Sequence, residues 1–456
     1  MIRMTLSHVA AALDGRLLGG DAAFQAVSTD SRHLAPGELF VALTGPHFDG
    51  NDFVGQAAVH GAVAAVVSRP VDVAMPCLLV ADTRVALGRL AGLWRAACPA
   101  QVVAVTGSNG KTTLKEMIAA ILRERGPVLS TTGNLNNDIG VPLTLLRLQD
   151  ERYAVIEMGA NHLGEIRYLS GLARPDVAVL NNAGRAHLEG FGSPENVARA
   201  KAEIIAGLEP HGTFVYNADS PWAPLWRDLA AGRNCLSFGL EAAADVTSPG
   251  SARLDWTARG FHNRFTIRAG GDAVDVGLAL AGAHNRSNAL AAAGAALALG
   301  CTLEQVRDGL ARIAPVRGRL APLCRHDGAW VIDDSYNANP DSVAAAIAVL
   351  AAAPGRKRLV LGDLAELGPD SAALHAGIGA EARSAGVDAL YTVGVASAAA
   401  SRGFGGGARH FADQAGLVDA LRQAVGAGDV VLVKGSRSAR MEQVVAALTT
   451  EESSAC

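Results

Sequence analysis

Apolar and polar positions along this 456-residue chain follow two alternating textures. Short unbroken runs of β-branched and small apolar residues, such as Val102-Val103-Ala104-Val105, read as strands buried on both faces. Longer stretches with apolar residues every three or four positions read as helices. After that first run, further runs at 153–157, 176–181 and 213–217 alternate with helical patterns, predicting a parallel sheet with crossover helices. Residues 251–280 change to an alternating texture, as in Asn263-Arg264-Phe265-Thr266-Ile267-Arg268, predicting antiparallel strands at one side. Beyond residue 314, runs at 330–333, 358–362, 389–393 and 430–433 alternate with helices at 342–353 and 371–385, a second doubly wound pattern. The first 98 residues carry shorter strands at 39–43 and 61–67 among polar turns. The predicted fold is α/β in three domains. These are a small N-terminal α/β unit (1–98), a central P-loop-type parallel sheet (99–313) and a C-terminal Rossmann-like unit (314–456).

Composition narrows the class. Half the residues are hydrophobic but only 5% are aromatic, so the core is expected to be built of Ala, Val, Leu and Gly. Forty basic residues against 44 acidic ones argue against nucleic-acid binding through a basic surface. Six cysteines without a C-x-x-C pair fit reduced thiols. Asp14 interrupts the only candidate signal stretch, and the longest uncharged stretches, such as 289–301, are too short to span a bilayer. A cytoplasmic monomer without membrane insertion is expected.

The chemistry begins where the first central strand ends, at Thr106-Gly107-Ser108-Asn109-Gly110-Lys111-Thr112-Thr113. A glycine turn between strand and helix lets backbone N–H groups converge on phosphate. Lys111 neutralises charge there, and Thr112 offers a hydroxyl to Mg²⁺. Val105 stands where the usual G-x-x-x-x-G-K-[ST] loop has its first glycine, and the glycine comes later, at Gly107. The helix is predicted over 114–124. Glu157 ends the next strand as a carboxylate suited to a metal or a metal-bound water, or to capping the following helix. His187 lies in a loop after a strand of the same sheet, where either a metal ligand or a polar surface residue fits. Lys201 reads, by pattern alone, as a solvated helix lysine. Asn134, Asn136 and Asn137 make 133–140 too polar for an element interior, so it reads as a binding loop. Asn285 and Asn288 precede an Ala-rich stretch and fit either a purine edge or a helix cap. The turn holding Ser28, Asp30, Ser31 and Arg32 fits a polar ligand or ordinary turn chemistry. The last unit opens with Arg317-Gly318-Arg319, and Asp334 and Lys434 then mark strand ends that resemble a second ligand-facing edge. A GTPase switch would carry an N-K-x-D run, and none is present.

Together these segments resemble the Mur ligases, ATP-dependent amide-forming enzymes of peptidoglycan precursor synthesis, from about residue 29 to 447. The resemblance rests on T-D-S-R (29–32), G-N-L-N-N-D-I-G-V-P (133–142), E-M-G-A-N-H-L-G-E-I (157–166), H-L-E-G-F-G-S (187–193), D-D-S-Y-N-A-N-P (333–340), G-D-L-A-E-L-G (362–368) and V-K-G-S-R-S (433–438). It implies ATP and Mg²⁺ as cofactors, with UDP-N-acetylmuramoyl-tripeptide and D-alanyl-D-alanine as substrates. An acyl phosphate forms first, and the dipeptide amine then attacks it. It further implies that Lys201 is carbamylated and, with Thr112, Glu157 and His187, ligates metal. Asn288 and Asn285 would lie near adenine, and Arg319 and Asp334 against the nucleotide. Ser28, Asp30, Ser31 and Arg32 would face the UDP-sugar, while Tyr336, Asn337 and Asn339 would neighbour the dipeptide.

Overall fold

The computed structural model describes residues 3–185, 188–257 and 260–449. Among the described residues, a ten-stranded sheet occupies the centre of the molecule. Its parallel part runs Val128–Ser130, Tyr153–Glu157, Gln101–Thr106, Val177–Leu180, Thr213–Asn217, Asn234–Gly239 and Val246–Thr247. The antiparallel strands Arg253–Thr257, Gly260–Ala269 and Asp272–Leu278 extend it at one side, as the alternating pattern anticipates.

The continuous apolar runs follow from burial on both faces. Successive side chains of a strand point to opposite faces. Val102 and Ala104 therefore join one core cluster with Ala154, Ile156, Ala178 and Leu180. Val103 and Val105 join the opposite cluster with Tyr153, Val155, Val177 and Val179. The first cluster continues into the N-terminal unit through Leu39, Val41, Leu78, Leu87 and Trp94, so the two units share one core. The helix Thr83–Ala97 is the bridge, and its buried Trp94 donates Nε1–H to the Leu148 carbonyl at 2.8 Å.

The N-terminal sheet is five-stranded, in the order Arg16–Leu18, Cys77–Leu79, Ala64–Val67, Glu38–Val41, Ala26–Ser28. The C-terminal sheet is six-stranded: Ala321–Cys324, Trp330–Asp334, Asp429–Lys434, Arg356–Gly362, Ala389–Val393, Ala408–Phe411. All its pairings except the Ala321–Cys324 edge are parallel. Several elements differ from the sequence expectation by a few residues. The phosphate-loop helix starts at Lys111 rather than 114, because Gly110 takes the N-cap itself with φ 76°. No described helix is long and apolar enough to cross a membrane.

Candidate active site

Open parallel sheets present their carboxyl ends to ligands. Here the central strands place Thr106, Glu157 and Leu180 at one edge, with Val105 paired to Glu157 and Thr106 to Leu180. The corresponding edge of the C-terminal sheet places Asp334 beside Lys434 in parallel register. The two edges line opposite sides of one cleft of about 1230 Å³. Ser108, Asn109, Gly110, Lys111, Thr112 and Thr113 line its central side.

The loop conformation is fixed by asparagines. Asn109 N–H donates to Asn182 Oδ1 at 2.8 Å, and the Asn109 carbonyl accepts from the amides of Asn181 and Asn182. Gly110 sits at positive φ, where a Cβ would stand 2.8 Å from Asn288 Oδ1. Glycine alone meets both demands. Lys111 Nζ donates to the Gly107 carbonyl at 2.7 Å and the Ser108 carbonyl at 3.3 Å. Burial lowers the Lys111 pKa, Glu157 opposes that shift, and Arg319 adds to it. Thr112 Oγ1 donates to Glu157 Oε2 at 2.8 Å, and Asn136 Nδ2 donates to Oε1 at 2.8 Å. Glu157 is thus a buried carboxylate held from both oxygens, and not a helix cap.

Asn285 and Asn288 lie inside the helix Ala283–Ala298, whose N-cap is Gly282, so neither caps it. Asn285 Nδ2 donates to the Ala281 carbonyl, Asn288 Nδ2 to Asn285 Oδ1, and Asn181 Nδ2 to Asn288 Oδ1 at 2.8 Å. Both line the cleft beside His284, whose pKa burial lowers to about 4, with Lys434 adding to the shift.

From the other side, Arg319 Nη2 donates to Thr112 Oγ1 at 2.9 Å. Its guanidinium stands 4.3 Å from the Tyr336 ring centroid, and that of Arg437 stands 5.8 Å from the same ring. Asp334 accepts from Lys434 Nζ at 2.6 Å and from Leu320 N–H. Burial pushes the Asp334 carboxyl up, against the pull of Lys434. Asn339 Nδ2 donates to Asn109 Oδ1 at 2.7 Å, tying the C-terminal unit to the phosphate loop. Asp341 accepts from the backbone N–H and guanidinium of Arg185 across the same boundary. Arg185, Asp341 and Asn182 escape sequence reasoning, because their partners lie 73 or 156 positions away.

Lys201 corrects the pattern reading. It is only 1% exposed, over the Phe191 ring, with Nζ donating to the Ala160 carbonyl at 3.3 Å. Desolvation lowers its pKa to about 7, with Lys111 adding to the shift and Glu165 and Glu203 opposing it. His187 lies outside the described residues. Among the described residues no group of three or more His, Cys, Asp or Glu could hold a metal. Asn134, Asn136, Asn137, Tyr336, Asn337 and Asn339 all line the cleft. Ser28, Asp30, Ser31 and Arg32 are not among its lining residues. Arg32 instead pairs with Asp30 through Nε at 2.9 Å and Nη2 at 2.8 Å, while Ser31 Oγ donates to Gln56 Oε1.

Fold and cleft together define a P-loop-type nucleotide-binding protein whose site is completed from a second α/β unit. The chain belongs to the Mur ligase family. Residues 23–126 match the Mur ligase family catalytic domain, 105–296 the Mur ligase middle domain, and 318–437 the Mur ligase glutamate ligase domain. The chain is 48% identical over 464 residues to the UDP-N-acetylmuramoyl-tripeptide–D-alanyl-D-alanine ligase of Escherichia coli K12, covering 100% of each. Its fold superposes on a crystal structure of MurF from Acinetobacter baumannii with a TM-score of 0.92, 36% identity and 99% coverage of both chains. MurF ligase from Thermotoga maritima in complex with ADP gives a TM-score of 0.84 at 31% identity, covering 94% of this chain and 97% of that one.

Proposed function

We propose that this protein uses ATP to join D-alanyl-D-alanine to UDP-N-acetylmuramoyl-tripeptide. The products are UDP-N-acetylmuramoyl-pentapeptide, ADP and phosphate, formed in the cytoplasm for peptidoglycan synthesis. Full-length similarity to ligases bearing that name supports the substrates. The observation that carries the chemistry is the contact of Arg319 with Thr112, which joins two sheet edges into one phosphate-facing cleft. Both halves come from one chain, so a monomer suffices. The proposed domains divide near residues 98 and 313.

In the first step a tripeptide carboxylate oxygen attacks the γ-phosphorus, and the bond to the bridging oxygen breaks to release ADP. In the second, the dipeptide nitrogen attacks the acyl carbon, the amine loses a proton and phosphate departs. Lys111 and Arg319 offset charge on the transferring oxygens. Backbone N–H groups of 107–113 orient the phosphates, Asn285 and Asn288 read the adenine edge, and Asp334 holds the bend that carries Arg319 through Leu320 N–H. Tyr336, Asn337 and Asn339 line the acceptor side, and Asn134, Asn136 and Asn137 the tripeptide side. The UDP end is assigned to the N-terminal unit with Ser28, Asp30, Ser31 and Arg32.

The Thr112 hydroxyl and buried Glu157 carboxylate, 2.8 Å apart, are hard oxygen donors that fit Mg²⁺, with His187 as a further candidate. Mg²⁺ held there supplies Lewis-acid neutralisation of phosphate charge. Lys201 fits carbamylation, because its lowered pKa favours the neutral amine that takes up CO₂. Acceptor-dependent phosphate release followed by mass spectrometry of the product tests the reading. A product heavier by the dipeptide less water is expected, and ATP turnover without an amide product overturns it.

A further inference from the structure

Asp333 and Asp334 end the same strand, Trp330–Asp334, but Asp334 lines the cleft and Asp333 does not. Asp333 is buried, at 2% exposure, and neutral donors meet its carboxylate. Oδ1 accepts from Ser335 N–H at 3.2 Å and from Ser335 Oγ at 2.5 Å. Oδ2 accepts from Gly318 N–H at 3.0 Å, across 15 positions of chain.

Gly318 belongs to the turn that carries Arg319. Two residues on, Leu320 N–H donates to Asp334 Oδ1 at 3.1 Å. Successive side chains of a strand point to opposite faces, so the two carboxylates hold this turn from two sides. The rest of its backbone is engaged as well. Arg319 N–H donates to the Val316 carbonyl at 3.0 Å, and Tyr336 N–H donates to the Gly318 carbonyl at 3.1 Å. Without these partners the chain would not favour the conformation. Leu320 sits at φ 51°, which a leucine adopts only under constraint, and Gly318 sits at φ 77°. A Cβ on Gly318 would stand 3.0 Å from Tyr336 Cβ. From this turn Arg319 lays its guanidinium over the Tyr336 ring and places Nη2 at 2.9 Å from Thr112 Oγ1. The arginine therefore takes its position from the C-terminal sheet and not from the chain that precedes it.

We propose that Asp333 is a positioning residue for Arg319. It touches no substrate, and it acts by holding Gly318 so that the guanidinium reaches Thr112 and the phosphates. The assignment rests on the ligase reading above. When the carboxylate is removed, Gly318 N–H loses its buried acceptor, Leu320 relaxes from its constrained φ, and the guanidinium leaves Thr112.

The test is a double-mutant cycle read by phosphate release at saturating ATP, tripeptide and dipeptide. In Asp333→Asn the shape is kept, but the amide nitrogen must face either Gly318 N–H or the Ser335 donors. Moving a catalytic group by about 1 Å can cost about 100-fold, so kcat should fall by about 10- to 100-fold. In an Arg319→Ala background the same change should cost less than about 2-fold, because the group it positions is gone. Gly318→Ala, which displaces the turn and leaves both carboxylates in place, should show the same non-additivity. A merely structural role would lower kcat by one factor in both backgrounds. Equal losses in the two backgrounds, or wild-type kcat in folded Asp333→Asn, overturn the proposal. If Asp333→Asn does not fold, Gly318→Ala decides by the same two comparisons. Wild-type protein that releases no phosphate with the dipeptide would instead remove the ligase reading.

Discussion

Arg319 and Thr112, 207 positions apart in the chain, meet at 2.9 Å across the cleft. The Thr112 hydroxyl in turn donates a hydrogen bond to Glu157, so a single hydroxyl links the C-terminal arginine to the buried carboxylate of the central sheet. The guanidinium is held in place by the Tyr336 ring. Removing one preorganised electrostatic contact costs about 10²–10³ in rate. Arg319→Ala should therefore lower kcat by that factor, and steady-state phosphate release measures it. Tyr336→Leu should show a smaller loss, because it frees the arginine without deleting it.

Lys111 is the second cation at the phosphate loop, and Gly107 and Ser108 carbonyls aim its ammonium. Lys111→Ala should abolish measurable ligation while leaving the thermal unfolding midpoint close to wild type. Substantial ADP-forming ligation in that variant would remove the loop from the mechanism.

Lys201 makes a prediction that an ordinary lysine does not. With its pKa lowered to about 7, most of the amine is neutral at pH 8. A solvated lysine of pKa ~10.4 is under ~1% neutral there. Wild-type protein in ¹³C-bicarbonate should give a carbamate carbonyl resonance that is missing in Lys201→Ala. That variant should lose activity and regain part of it with a short carboxylate in solution. Full activity without rescue would return Lys201 to a packing role.

Much of this architecture is legible in the chain because parallel strands buried on both faces must be continuously apolar. Tyr153–Glu157, Thr213–Asn217 and Ala389–Val393 fall where those runs predict. The phosphate loop is legible because glycine, lysine and threonine are each demanded by local chemistry. Lys201 is not, since helical spacing alone does not reveal that neighbouring elements cover its face of Pro194–Ala202. The family resemblance, and not the pattern, singles it out. The Arg185–Asp341 contact leaves no local trace, because it exists only once two sheets meet. The turn at Asp30 and Arg32 is legible as a motif, and its two side chains form an exposed ion pair apart from the cleft lining.

The Asp334–Lys434 pair follows from the parallel register of two strands, and both side chains are nearly inaccessible, at 11% and 3% exposure. Breaking one side of a buried pair leaves an uncompensated charge and costs about 3–5 kcal/mol. Lys434→Met should thus destabilise the fold strongly at neutral pH, and Asp334→Asn added to it should recover part of the loss. The pH dependence has a definite sign. Asp334 already has a raised pKa, and removing Lys434 removes a contribution that lowers it. The folded variant then binds more protons than the unfolded chain, so its stability falls as pH rises through the raised pKa. Urea unfolding should show a smaller deficit for Lys434→Met at pH 5 than at pH 8, and the double variant should lose that pH dependence. An equal deficit at both pH values would mean that Asp334 is not carrying an uncompensated charge in the variant.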